Sequence, residues 1–229
     1  MGRVSIHAAV LFALLSGIAP GGDVSGRILI ERSVRKKTIA AVTYDLRGAN
    51  VKEAPPVQTG NEYDKIAVWL EPEKGSAPSA SPVHATIQQL DRRFVPDLLI
   101  VPVGSTIDFP NADPVFHNVF SLSRTQSFDL GYYPQGHSKS IKFLKSGVVQ
   151  IYCHVHPKMY AAVVVTSSPW FATPSAEGVV AWKDIPPGKY RMMAWHRVAG
   201  MFQKDVVVTE SGAVSVTLSI PLDEAESQH

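Results

Sequence analysis

The stretch Gln150-Ile-Tyr-Cys153-His154-Val-His156-Pro-Lys-Met159-Tyr160 decides how this chain is read. It gathers one thiol, two imidazoles and one thioether at Cys153, His154, His156 and Met159. Cys153 is the only cysteine, so an internal disulfide is excluded. The residues on either side, Val148-Val-Gln-Ile-Tyr152 and Tyr160-Ala-Ala-Val-Val-Val165, are β-branched and apolar, as in buried strands. The donors therefore sit on a short loop between two strands. Soft sulfur beside imidazole is the mixture copper selects, and two His with one Cys and a weak axial Met mark a one-electron copper centre. Such a site needs a second histidine from elsewhere. His117, in Asp108-Phe-Pro-Asn-Ala-Asp-Pro-Val-Phe-His117-Asn-Val-Phe120, is the candidate.

Outward from this loop the chain keeps reading as strands. Between residues 84 and 166 the runs Ala85–Leu90, Leu98–Val103, Thr106–Phe109, His117–Phe120 and Ser140–Phe143 precede the two already named. Short strands separated by turns at such spacing indicate a β-sandwich or barrel. Before them, Val24–Ile30, Thr38–Tyr44 and Lys65–Leu70 are strand-like. In the last, Ile66, Val68 and Leu70 alternate with Ala67 and Trp69. Residues 73–83 are rich in Pro, Ser, Ala and Gly and read as a linker. After residue 166 come four more strands, within 178–182, 188–195, 204–209 and 213–220, with a turn at Ile185-Pro-Pro-Gly188. Residues 223–229 form an acidic tail.

The 229 residues are 45% hydrophobic and 18% charged, ordinary for a globular protein of one large or two small domains. A net charge of +2 gives no argument for nucleic acid or an anionic membrane surface. Residues 1–22 read as a secretory signal. Arg3 precedes the apolar run Ala8–Leu15, which small residues at Ser16, Gly17 and Ala19 follow. Pro20 leaves the cleavage point open. An uncleaved anchor or a core helix are the alternatives, but the run is too short to span a bilayer. Export implies a periplasmic location and an oxidising compartment.

His117, Cys153, His156 and Met159, in this order and each on or beside a strand, resemble the ligands of the cupredoxins, the plastocyanin and amicyanin group. The Cys-x2-His-x2-Met spacing is that of the short amicyanin loop. The resemblance covers residues 84–165. It implies an all-β fold, a cupredoxin-like Greek-key β-sandwich at 84–166, holding one type 1 copper that cycles between Cu(I) and Cu(II). It also implies that Asn118 clamps its strand to the Cys153 loop from the second coordination shell.

The flanking segments, 23–72 and 167–222, resemble a transthyretin-like or carboxypeptidase-regulatory-like β-sandwich, on Gly26-Arg-Ile-Leu-Ile30, Ala67-Val-Trp-Leu70, Thr173–Gly178 and Ile185-Pro-Pro-Gly-Lys-Tyr190. Two arrangements follow. Either both ends of the chain build one smaller sandwich lobe with the copper unit inserted, or the N-terminal segment is a separate lobe.

His154 follows Cys153 and on a strand points the other way. It reads as a surface or outer-shell residue, with an extra ligand as the alternative. His84, His137 and His196 are isolated and read as structural or exposed, and Met192-Met193 as core packing. Pro157, Phe116, Tyr132 and Tyr133 are candidates for an apolar rim at His156, or equally for core packing. Four protein ligands leave no open position, which argues against an enzyme. A binuclear copper centre needs a second cysteine, and His154-Val-His156 is the one paired motif of the multicopper oxidase kind.

The expected function is single-electron transfer with a redox protein such as a cytochrome or periplasmic dehydrogenase, with no nucleic-acid partner. The amicyanin likeness adds a link to methylamine utilisation. The alternative is a copper carrier or sensor module without redox cycling.

Overall fold

The computed structural model describes residues 21–33, 61–210 and 212–223. Residues 1–20, most of the segment read as a secretory signal, the strand read at 38–44 and the tail beyond 223 lie outside the described residues. The strands are β1 (Gly22–Ser33), β2 (Ile66–Pro72), β3 (His84–Thr86), β4 (Gln88–Leu90), β5 (Arg93–Val95), β6 (Leu98–Pro102), β7 (Thr106–Pro110), β8 (His117–Leu122) and β9 (Ser127–Tyr133). They continue with β10 (Ser138–Lys142), β11 (Gly147–Tyr152), β12 (Tyr160–Thr166), β13 (Phe171–Ala172), β14 (Val179–Ile185), β15 (Gly188–His196), β16 (Gly200–Val208) and β17 (Ala213–Asp223). Among the described residues the one helix is a 3-10 turn at Glu62–Lys65, and no helix is long and apolar enough to cross a membrane. The fold is all-β.

Two sandwiches share the chain. The central one packs the sheet β6-β12-β11-β8-β9 against β10-β7-β3, with the small hairpin β4-β5 alongside. Its core holds Phe94, Ile107, Phe109, Val119, Phe143, Val149, Ile151, Val163 and Val165, and both Cys153 and Met159 belong to it. The other sandwich draws on both ends of the chain. β1 lies between β14, antiparallel to it, and β17, parallel to it. β2 pairs with β15 and β13 in the facing sheet β13-β2-β15-β16. Its core runs from Val24 and Ile28 through Val68, Leu70 and Met192 to Ile220.

Alternation explains how the two meet. On β2, Ile66, Val68 and Leu70 enter the core of their own sandwich, while Ala67 and Trp69 face the other way. On β15, Met192 and Ala194 go inward, and Met193 and Trp195 turn outward beside Trp69. On β12, Ala161, Val163 and Val165 face the core that contains Cys153, whereas Ala162 and Val164 face Trp69 and Trp195. β12 is thus buried on both faces, which is why it reads as an unbroken apolar run. Arg197 clips the junction. It donates to Asp97 Oδ2 at 2.7 Å and lies 4.5 Å from the Tyr160 ring centroid.

Candidate metal centre

The inward row of β11 is Val149, Ile151 and then, one step beyond the strand, Cys153. Period two places its Sγ in the core and His154 on the outside. His154 stacks on Phe120, with ring centroids 3.8 Å apart and planes 6° from parallel. Its Nε2 lies 3.9 Å from Asp129 Oδ2. His154 therefore stands at the surface, away from the sulfur face.

His117 opens β8 opposite Tyr133 of β9, fully buried on the face that also carries Val119. His156 stands midway along the loop, half-buried. Met159 closes it: its N–H donates to the His156 carbonyl at 2.9 Å, and its side chain is buried in the same core as Cys153.

Cys153 Sγ, His117 Nδ1 and His156 Nδ1 face one another. Sulfur lies 3.9 Å from each nitrogen, and the nitrogens are 3.1 Å apart. A point equidistant from three such atoms lies about 2.1 Å from each, inside the span of metal–nitrogen and metal–sulfur bonds of roughly 2.0–2.3 Å. One ion fits. The donor set, one thiolate with two imidazoles, suits a copper ion. His156 is held below the ordinary histidine pKa, by partial burial first and then by His117 and Arg92 nearby, although Asp113 pulls the other way. A neutral ring keeps its lone pair free to bind metal.

One functional residue was missed by the sequence reading. Asp113 is buried, and its Oδ2 lies 2.7 Å from His117 Nε2. The nitrogen donates to the carboxylate, which fixes the tautomer that leaves Nδ1 for the metal. Burial raises the Asp113 pKa. The backbone N–H of Arg92, His117 and the backbone N–H of Asp91 outweigh it, so the carboxyl is held below its usual range. The signal was present as an acidic residue four positions before the candidate ligand.

The structure gives the Asn118 side chain a partner on β9 and divides the four rim candidates between surface and core. Asn118 is fully buried, but its Nδ2 donates to Asp129 Oδ1 on β9 at 2.7 Å, and its Oδ1 has no partner. The clamp onto the Cys153 loop is not among its hydrogen bonds. Of the four rim candidates, Phe116, Tyr132 and Pro157 are exposed and Val155 joins them, whereas Tyr133 is core. Its hydroxyl donates to the Phe109 carbonyl at 2.8 Å and accepts from Gln89 Nε2 at 2.6 Å.

Among the described residues, the other histidines lie apart from these donors. His84 meets Asp108 at 2.7 Å near the surface, His137 is exposed, and buried His196 meets Glu62 at 3.1 Å. Met192 is core, and Met193 packs between the sandwiches.

No protein-family model matches the chain, and no curated protein sequence does. Among solved structures it is similar to a purple cupredoxin from Nitrosopumilus maritimus, at 28% identity over 36% of this chain and 99% of that one, with a TM-score of 0.34. It is similar to an oxidised amicyanin variant, at 22% identity over 36% of this chain and 82% of that one, with a TM-score of 0.35. It is also similar to a copper-containing nitrite reductase from Thermus scotoductus, at 25% identity, with a TM-score of 0.35. There the match spans 42% of this chain but only 25% of the reductase. Each of these matches covers less than half of this chain.

Proposed function

We propose that this chain is an exported blue copper protein that passes single electrons between redox partners, with His117, Cys153, His156 and Met159 as ligands. The observation that carries this reading is the triangle of one sulfur and two nitrogens at 3.9, 3.9 and 3.1 Å. A bound copper ion would supply the one-electron change. The chain's part is to hold the donors still. Cys153 is fixed by the core, His117 by β8 and Asp113, and Met159 by the turn that follows His156. A rigid donor set needs little rearrangement when charge changes, which keeps transfer fast. Met159, buried in the same core as Cys153, would supply a thioether as the fourth and weaker donor.

His156 is the donor nearest solvent, and Phe116, Tyr132, Val155 and Pro157 are exposed on the segments around it. A small apolar surface of this kind suits brief docking of a cytochrome or periplasmic dehydrogenase. The sandwich made from both chain ends serves as a scaffold into which the copper unit, residues 84–166, is inserted.

The test is the optical spectrum of purified protein with Cu(II). Intense visible thiolate-to-copper absorption, lost in Cys153→Ser, is the expected result. A colourless Cu(II) adduct, or tight binding of Cu(I) alone, would replace electron transfer by copper carriage.

A further inference from the structure

We propose that Asp113 is a positioning residue that makes the two imidazole donors unequal, enriching His117 and holding the reduction potential of the centre down. This rests on the copper reading above. His117 is fully buried, and the Asp113 carboxylate stands directly behind it, 2.7 Å from Nε2. Among the described residues no hydrogen bond reaches Nε2 of His156. One ring therefore has an anion at its back and the other does not.

The carboxylate is built in rather than resting there. It accepts from the backbone N–H of Asp91 at 2.7 Å and of Arg92 at 2.8 Å. Those two residues form the β4–β5 turn, both at positive φ, 53° and 57°. Neither is glycine, so the turn carries backbone strain that the pair of N–H hydrogen bonds to Asp113 offsets. From the other side, the Asp113 N–H donates to Asn111 Oδ1 at 2.9 Å. Asn111, itself buried, donates through Nδ2 to the carbonyls of Val115 and Tyr133. The hairpin thus holds the carboxylate oxygens, and Asn111, tied to the strand opposite His117, holds the Asp113 backbone. That is more structure than a surface loop needs to hold a histidine ring.

The consequence follows from charge. An anion accepting the Nε2 proton pushes electron density towards Nδ1 and makes it a stronger donor. A stronger donor stabilises a dication more than a monocation, and low dielectric around a buried pair magnifies the difference. The oxidised state gains, so the midpoint potential falls.

Spectroelectrochemistry of the copper-loaded full chain tests this with Asp113→Asn and Asp113→Glu. Asp113→Asn should keep the visible absorption but lose at least ten-fold of the preference for Cu(II) over Cu(I), read as a rise in midpoint potential of about 59 mV per ten-fold. Asp113→Glu, which keeps the charge, should return the potential towards wild type. An Asn variant with intact colour and the wild-type potential overturns the proposal and leaves the copper reading standing. Absence of colour in the wild type sinks both. Should Asp113→Asn fail to fold, proton NMR of the reduced wild-type protein decides. The His117 Nε2–H should appear far downfield and exchange slowly with solvent, and a fast-exchanging or missing signal overturns the proposal.

Discussion

A buried sulfur can be a core atom or a ligand, and at Met159 the two roles separate experimentally. Its side chain is 1% exposed in the core that contains Cys153. Met159→Leu nearly conserves volume, so metal-free stability should change by less than about 1.5 kcal/mol. Loss of the thioether should still move the midpoint potential, which potentiometry reads alongside urea denaturation. His196 carries a different prediction. Its Nδ1 accepts from the N–H groups of Val198 and Ala199, so Nε2 holds the proton given to Glu62. Burial, ahead of the opposing pull of Glu62, keeps its pKa below the ordinary value. The folded state thus resists a proton that the unfolded state takes up near pH 6.5, and stability falls as pH drops through that value. Glu62 acts in the same direction further down. Burial raises its pKa, but Lys65 and His196 lower it more, and that stabilisation fades as pH falls through the folded carboxyl pKa. His196→Gln should flatten the wild-type decline between about pH 7 and 5, as measured by denaturant midpoints.

At the scale of elements, β9 shows what sequence can and cannot give. Phe128 and Leu130 turn towards the core, and simple alternation would then send Tyr132 inward and Tyr133 out. The structure does the reverse because the β8–β9 register slips between Asn118 and Phe120. Gly131, at φ 66°, sits in the bulge. Asp129 Oδ1 caps it, accepting from the Gly131 N–H at 2.8 Å and from Asn118 at 2.7 Å. One extra residue reverses the parity of everything after it. That is why Tyr133 could be read as rim, and why this strand was not read at all. The ligand loop was legible for the opposite reason. β11 and β12 have no bulge, so the row Val149, Ile151, Cys153 stays in phase, and local spacing carries over into space. Asp113 stands only four residues from His117, but the hairpin N–H groups that hold its carboxylate are distant in sequence, so the spacing alone did not reveal its role. Gly131→Ala tests the bulge. An added Cβ would meet only Lys139 Nζ, at 3.7 Å, so clash is not the issue. The left-handed backbone is, and it should cost about 1–2 kcal/mol in urea denaturation.

For the whole molecule, the question is whether two sandwiches behave as one body. The seam is apolar, built on Ala67, Trp69, Leu98, Ala162, Val164 and Trp195, with the Arg197–Asp97 pair beside it. Each large side chain buried there contributes about 1.5–3 kcal/mol, enough for the pair to unfold together. The chain supplies its own reporters. All four tryptophans, Trp69, Trp170, Trp182 and Trp195, lie outside residues 84–166, while the metal donors lie inside. Tryptophan fluorescence therefore follows the sandwich made from the chain ends, through Trp182 in its core, Trp170 packed against that core, and Trp69 and Trp195 at the seam, and visible absorption follows the ligand loop. In the wild type the two should melt at one temperature, and copper should raise both, because stabilising one partner of a coupled pair stabilises the other. Ala162→Arg places a charge at a fully buried seam position on a strand whose opposite face stays intact. It should split the transition, leaving the copper-dependent rise in the visible signal and removing it from the fluorescence. A single coincident transition in that variant would show that the coupling runs through the chain crossings rather than the seam.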